Sequence, residues 1–168
     1  ALGGRVIGRK IGFTNRTIWE RYGVDGPMWG TMTDSSVHTA AAAAEGFPLG
    51  RLQEPRLEPE VALALAAAPS PGMDEAALLA CVEWFAPAFE LVHSLFPGWR
   101  FSLGDSIAAG GLHGALIVGP AVPAGRWAQD LPALRLVLSR DGDVVETGRG
   151  ENVLGGPLSA LRHLVDTL

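Results

Sequence analysis

Apolar and polar residues alternate with a period near two along much of the chain, while a helical period stands out in few places. Gly4 to Thr14 alternates apolar and basic residues and predicts a strand. Asn15 is placed to cap a short helix over Arg16 to Arg21 that closes before Gly23, and Gly26 to Gly30 predicts a turn. Ala40 to Ala44 fits either a helical turn or a loop. Leu57 to Ala66 predicts a strand, and Pro69 to Gly72 the loop leaving it. Asp74 to Phe85 carries an acidic first turn and an apolar face, so it predicts a helix that Pro87 ends. Period-two spacing returns over Phe89 to Ser94. A Gly-rich segment, Gly104 to Gly119, precedes a strand at Leu134 to Ser139. Asp141-Gly142 favours a two-residue hairpin turn, with Val144 to Thr147 as the return strand. Pro157 to Leu168 predicts an amphipathic helix with Pro in its first turn. The pattern is strand-rich, without repeats or an internal linker, and predicts one catalytic-type domain over residues 1–168.

Composition narrows the function classes. With 48% hydrophobic residues, the 168-residue chain can bury a sizeable core. A formal charge of -5 offers no basic surface for nucleic acid or an anionic membrane. Val61 to Ala68 is apolar but stops at Pro69, too short to span a bilayer, and the uncharged stretch Ile107 to Gly125 is broken by Gly and Pro. With a single Cys81 and no leader-like segment at the start, the expectation is a cytoplasmic protein. All but one of the 13 basic residues are Arg, which singles out Lys10.

The candidate chemistry begins at Arg56-Leu57-Glu58-Pro59-Glu60. On a strand, Glu58 and Glu60 point the same way, and two like charges side by side repel and lose hydration. A divalent cation compensates such a pair, and Glu90, in the apolar stretch FELVHS, is a candidate third ligand. Three carboxylates suit Mg2+ or Mn2+ rather than zinc. The competing reading is a solvated acidic face with Glu90 paired to an Arg. Gly104-Asp105-Ser106-Ile107 resembles the nucleophile block of small serine esterases. Its mid-chain position, and the absence of an Asp three residues before His163, favour a turn instead. The glycines of GGLHG and GRGENVLGGP match no dinucleotide or Walker spacing, and the four histidines show no metal-ligand spacing.

Five blocks in order carry a resemblance: Gly8 to Thr14 (GRKIGFT), Gly23 to Gly30 (GVDGPMWG), Arg56 to Ala62 (RLEPEVA), Pro87 to Val92 (PAFELV) and Gly148 to Ala160 (GRGENVLGGPLSA). Together they resemble the 2-oxopent-4-enoate hydratase / 2-oxo-3-enedioate (4-oxalocrotonate) decarboxylase branch of the fumarylacetoacetate hydrolase superfamily. The resemblance implies an α+β, mainly β fold, a fumarylacetoacetase C-terminal-like mixed β-roll or distorted barrel with short flanking helices. It implies Mg2+ (or Mn2+) held by Glu58, Glu60 and Glu90, with Lys10 in the pocket near a small 2-oxo acid. Lys10 and Asp105 are the candidate catalytic residues. The implied activity is a metal-dependent lyase of aromatic-compound degradation, decarboxylase or hydratase. A homo-oligomer, or a complex with a paired hydratase or decarboxylase, is the implied assembly.

Departures from the family pattern bear on the reaction. Hydratases of the branch usually carry an acid after the Pro of the Gly-Val-Asp-x-Pro block; here stands Met28, closer to the decarboxylase pattern. The family's Ala-Asp-Asn is replaced by Ala108-Ala109-Gly110, and its basic residue after the Val-x-Ser block by Leu95. The family's N-terminal helical region and C-terminal closing strands find no counterpart in residues 1–168. Two alternatives follow: a non-catalytic homologue serving as a structural or regulatory partner, and an acylpyruvate C–C hydrolase.

Overall fold

The computed structural model describes residues 4–126 and 131–168. Val6–Gly12 (β1) runs antiparallel to a strand over Met28–Thr33, with Lys10 opposite Gly30. Between them, Asn15 Oδ1 accepts the Thr17 amide at 3.1 Å and starts a 3-10 turn over Arg16–Ile18. One helical turn follows, Trp19–Tyr22 (α1), which Gly23 ends in the left-handed conformation at φ 60°. The strand Met28–Thr33 (β2) begins inside the segment expected to be a turn. Met28, Gly30 and Met32 are buried while Trp29 and Thr31 are exposed, so the period-two pattern starts two residues after Gly26.

Val37–Thr39 (β3), Arg56–Leu65 (β4), Val82–Val92 (β5), His113–Val118 (β6) and Val122–Pro123 (β7) form one sheet, entered by way of the helix Glu75–Cys81 (α2). Its order is β3-β6-β5-β4, with β7 pairing β5. β3 lies parallel to β6, and β5 antiparallel to β6 and β7. The helix expected to reach Phe85 stops at Cys81. Asp74 caps its start through a 2.8 Å bond from the Ala77 amide, but Val82, Trp84 and Phe85 are β-branched or aromatic and enter the strand. Pro87 therefore lies inside β5 rather than ending a helix, and its carbonyl accepts the Gly119 amide at 2.8 Å.

Leu103–Ala108 (α3) replaces the turn expected around Gly104. Ser102 and Asp105 form a reciprocal capping box, a start signal present in the sequence as Ser-x-x-Asp. Arg135–Arg140 (β8) and Asp143–Arg149 (β9) form the predicted hairpin, with Asp141 and Gly142 both at positive φ (55° and 92°), as a primed turn requires. Pro157–Thr167 (α4) is the last helix.

The chain divides into two compact units, the first made of residues up to Phe13, Ile18–Ala62 and Ala86–Ala121, and the second of Thr14–Thr17, Leu63–Phe85 and Val122–Leu168. In the first, Met32, Ala88 and Leu116 form a buried cluster with Val37, Ala62 and Val118 packed on it. In the second, α2 packs against α4, and Leu78, Leu161 and Leu164 are buried. The mixed, mainly sheet class with short helices is as expected. Among the described residues the strands form three sheets and close into no barrel. No described helix is long and apolar enough to cross a membrane.

Candidate metal centre

β4 and β5 bring three acids together within the first unit. Glu58 and Glu60 are two apart on β4 and so share a face, and Glu90 stands on β5, its neighbour in the sheet. One carboxylate oxygen from each lies within 4.8 Å of the others. Glu58 is exposed, Glu60 half-buried and Glu90 only 2% exposed, so the cluster grades from solvent into the protein.

Lys10 meets the buried end. Its Nζ donates to Glu90 Oε1 at 2.6 Å and to the Gly111 carbonyl at 2.9 Å. Two glycines make room for it. Opposite Lys10, Gly30 has no Cβ, and one there would stand 2.8 Å from the Gly110 carbonyl oxygen and 3.5 Å from Lys10 Cγ. Gly111 takes φ 73°, and a Cβ on it would strike both Lys10 Cε and the Met28 side chain. Met28 thus lies alongside the lysine stem and gives it an apolar wall.

His113 also reaches Glu90, its Nδ1 lying 2.7 Å from Oε1, while its Nε2 is 2.9 Å from Ser36 Oγ. A β-bulge puts it there. Glu90 pairs with Leu116 and Leu91 with Ala115, but Val92 pairs with His113, so Gly114 is the extra residue of β6. Facing residues of antiparallel strands share a side. Val92 shares the side of Glu90, and the bulge moves His113 onto that side; an unbroken ladder would turn it to the other. Gly114 is required for this, because a Cβ on it would lie 2.7 Å from the Leu91 carbonyl oxygen.

The electrostatics follow from this geometry. Burial raises Glu60 above the usual carboxylate range, Glu90 and Glu58 add to the rise, and its pKa is pushed up to about 8. Glu58, although the residue is more exposed, is raised as well, first by desolvation of its carboxylate, with the Lys10 charge opposing and Glu90 adding to the rise. Burial also works against ionisation of Glu90, but the hydrogen bond from His113 and the charge and hydrogen bond of Lys10 outweigh it and hold its pKa below normal. Glu90 is therefore the compensated carboxylate, and Glu60 the uncompensated one.

The remaining sequence candidates have other surroundings. Asp105 is solvent-exposed at the start of α3, where its carboxylate accepts the Ser102 amide at 2.9 Å and the Ser102 hydroxyl at 2.8 Å. The Ser102 amide, then its hydroxyl, lower the Asp105 pKa. Among the described residues no hydrogen bond joins it to Lys10 or the glutamates. Ser106 is buried in α3, and among the described residues no hydrogen bond joins it to a histidine, so the structure does not support the esterase arrangement. His93 accepts the Gln53 amide at 3.4 Å. His113 and Ser36 are not visible as site residues in the sequence, since strand parity hides the first and nothing marks the second.

Comparison with known proteins places the chain. No established family model matches it. It is 32% identical over 170 residues to a 2-hydroxypent-2,4-dienoate hydratase of Pseudomonas putida, covering 100% of this chain and 75% of the relative. The chain belongs to the 2-keto-4-pentenoate hydratase and 4-oxalocrotonate decarboxylase family. A 4-oxalocrotonate decarboxylase of a Pseudomonas species is 32% identical over 162 residues, covering 95% of this chain and 60% of that protein. In three dimensions, the 4-oxalocrotonate decarboxylase from Pseudomonas putida G7, solved with magnesium and adipate, matches with a TM-score of 0.83 at 25% identity, over 99% of this chain and 62% of that one. The chain thus spans less than two thirds of either decarboxylase. The fold is that of the fumarylacetoacetate hydrolase superfamily, as the ordered sequence blocks implied.

Proposed function

We propose that this chain carries the metal-dependent lyase centre of its family, acting on a small unsaturated 2-oxo acid in the breakdown of aromatic compounds. One observation carries the proposal: three carboxylates gathered within 4.8 Å, with one lysine bonded to the most buried of them. The donor set fits a hard divalent cation. Three ionised glutamates beside one ammonium leave a net charge of about minus two, and all donors are oxygen. Burial first, and then the charges of Glu90 and Glu58, raise the Glu60 pKa, and a cation among the three carboxylates would oppose both effects. Glu58, Glu60 and Glu90 would hold Mg2+ or Mn2+. When bound, the cation supplies Lewis-acid stabilisation of the negative charge that develops on the 2-oxo acid.

Lys10 has three N–H donors and uses two, on Glu90 and the Gly111 carbonyl. The third is available to hold the substrate carboxylate or to deliver a proton as the enolate collapses. Asp105, engaged at its helix cap, supports the start of α3, and the proton handling falls to Lys10. Met28 favours decarboxylation. Hydration needs a polar group to place water at the alkene, whereas loss of CO2 does not, and the residue beside Lys10 is a thioether. The decarboxylase and hydratase relatives support a substrate with a 2-oxo acid head, and the adipate bound in the solved decarboxylase, a six-carbon dicarboxylate without an oxo group, supports a second carboxylate at its far end.

Adding 2-oxohex-3-enedioate with Mg2+ should release CO2, and 2-oxopent-4-enoate should be hydrated more slowly. Faster hydration than decarboxylation overturns the preference, and no Mg2+-dependent turnover of either overturns the enzyme reading. That last outcome favours a non-catalytic partner of a paired hydratase or decarboxylase, an alternative that Leu95 and Ala108-Ala109-Gly110 support by lacking polar side chains. We take the protein to be cytoplasmic and to act as a homo-oligomer or in such a pair; sedimentation of the purified protein tests the assembly.

A further inference from the structure

We infer that His113, held by Ser36, is a positioning residue that fixes Glu90 so that one carboxylate oxygen remains for the cation. The inference rests on the metal reading above and assigns a role to two residues outside its ligand set. Glu90 Oε1 receives two contacts, Lys10 Nζ at 2.6 Å and His113 Nδ1 at 2.7 Å, while no hydrogen bond from a described residue reaches Oε2. An oxygen with two donors already on it is a poor further ligand, and the bare one is the better. The imidazole thus selects which oxygen faces the cluster.

Ser36 complements the tautomer that Glu90 sets. Its hydroxyl stands 2.9 Å from His113 Nε2 and 3.1 Å from the Thr33 carbonyl. An ionised Glu90 carboxylate has no proton to give, so Nδ1 carries the ring proton, and the Ser36 hydroxyl, which is also placed to donate to the Thr33 carbonyl, can turn its proton to the bare Nε2. Nε2 then accepts and Nδ1–H donates to Glu90. Carboxylate–histidine arrangements of this kind orient metal ligands by the same logic.

The backbone is bent to deliver this contact. Gly110, Gly111 and Leu112 are three successive residues at positive φ (66°, 73° and 59°), and Leu112 is no glycine, so it is strained there. The bulge at Gly114 follows directly and turns His113 onto the Glu90 side. Sharing Oε1 has a further consequence. When Lys10 turns its ammonium to a substrate, Glu90 Oε1 keeps a donor, so the ligand stays in place while the lysine works.

The test measures Mn2+ affinity by electron paramagnetic resonance, without substrate, for the wild type and for His113→Leu, His113→Asn, Ser36→Ala and Glu60→Gln, each checked for folding by circular dichroism. His113→Leu should weaken binding about 10- to 100-fold. His113→Asn places an amide N–H where Nδ1–H stood and should restore affinity to within about threefold of wild type, an outcome a merely space-filling residue would not produce. Ser36→Ala should weaken binding less than His113→Leu, and the 15N shifts of His113 in the wild type should report protonated Nδ1 and bare Nε2. Equal affinity in wild type and His113→Leu, with binding lost in Glu60→Gln, overturns the inference alone. No binding by the wild type overturns the metal reading and the inference together. If His113→Leu does not fold, weak binding by a folded His113→Asn overturns the positioning role, and wild-type-like binding supports it.

Discussion

Replacing Lys10 with Met removes the ammonium and keeps most of the stem, and the cost follows from what the ammonium touches. Lys10 is 7% exposed and Glu90 2%, so their 2.6 Å ion pair lies almost out of water. Breaking a buried pair by removing one partner costs about 3–5 kcal/mol, because the charge left behind is uncompensated. The Gly111 carbonyl also loses its donor, worth roughly 1–3 kcal/mol if no water replaces it. Two effects offset these losses. His113 still bonds Glu90 Oε1, and the lysine no longer has to be desolvated. The net expectation is a loss of about 2–4 kcal/mol in metal-free protein at pH 8, a large share of a typical stability of roughly 5–15 kcal/mol. Saturating Mg2+ should shrink the loss, since the cation then compensates Glu90 directly. Urea unfolding of Lys10→Met and wild type, in chelator and in excess Mg2+, measures both numbers. A loss below about 0.5 kcal/mol in chelator would refute a buried, energetically significant pair. A loss that Mg2+ leaves unchanged would refute the placement of Lys10 and the cation on one carboxylate.

Cation binding should tighten as pH rises to about 8, because Glu60 carries a proton below its pKa of about 8 and must lose it to become a ligand. Calorimetry in buffers of different ionisation enthalpy should find close to one proton released per Mg2+ at pH 7; an affinity flat from pH 6 to 8 contradicts this. The folded-state pKa of Glu60 exceeds its unfolded value of 4.5, so the folded chain binds the extra proton between about pH 4.5 and 8, and metal-free stability should fall as pH rises through that window. Glu60→Gln should flatten that slope, retain the fold and abolish turnover; retained activity would remove Glu60 from the ligand set. Gly114→Val should destabilise the chain by on the order of 1–3 kcal/mol and weaken Mn2+ binding with it, since a Cβ meets the Leu91 carbonyl at 2.7 Å. Unchanged binding in a folded Gly114→Val separates the bulge from the site.

Which parts of this were legible in the sequence depends on the range of the interaction. Glu58 and Glu60 share a face by strand periodicity alone, and Asp141-Gly142 specifies a turn whose chemistry is local. The end of α2 was not legible, because Val82 to Phe85 continues an apolar pattern that suits a helix or a strand, and pairing with β7 at Trp84 and Phe85 decides it. α3 was legible in principle from Ser102-x-x-Asp105 but was obscured by the surrounding glycines. His113 lies beyond single-sequence reasoning. Its side of the sheet depends on one inserted residue at Gly114, and its partner is 23 positions away. Lys10 illustrates the opposite case. Its rarity marks it in the sequence, yet its place beside Glu90, 80 residues on, is visible only in the fold.

Glu58, Glu60 and Glu90 are proposed to hold one divalent cation. Crystals grown with Mn2+ and measured at its absorption edge test this most directly. A single strong anomalous peak bonded to an oxygen from each of the three glutamates is expected, with Lys10 and His113 still on the other oxygen of Glu90. A peak elsewhere, or none among the three carboxylates at saturating Mn2+, would contradict it.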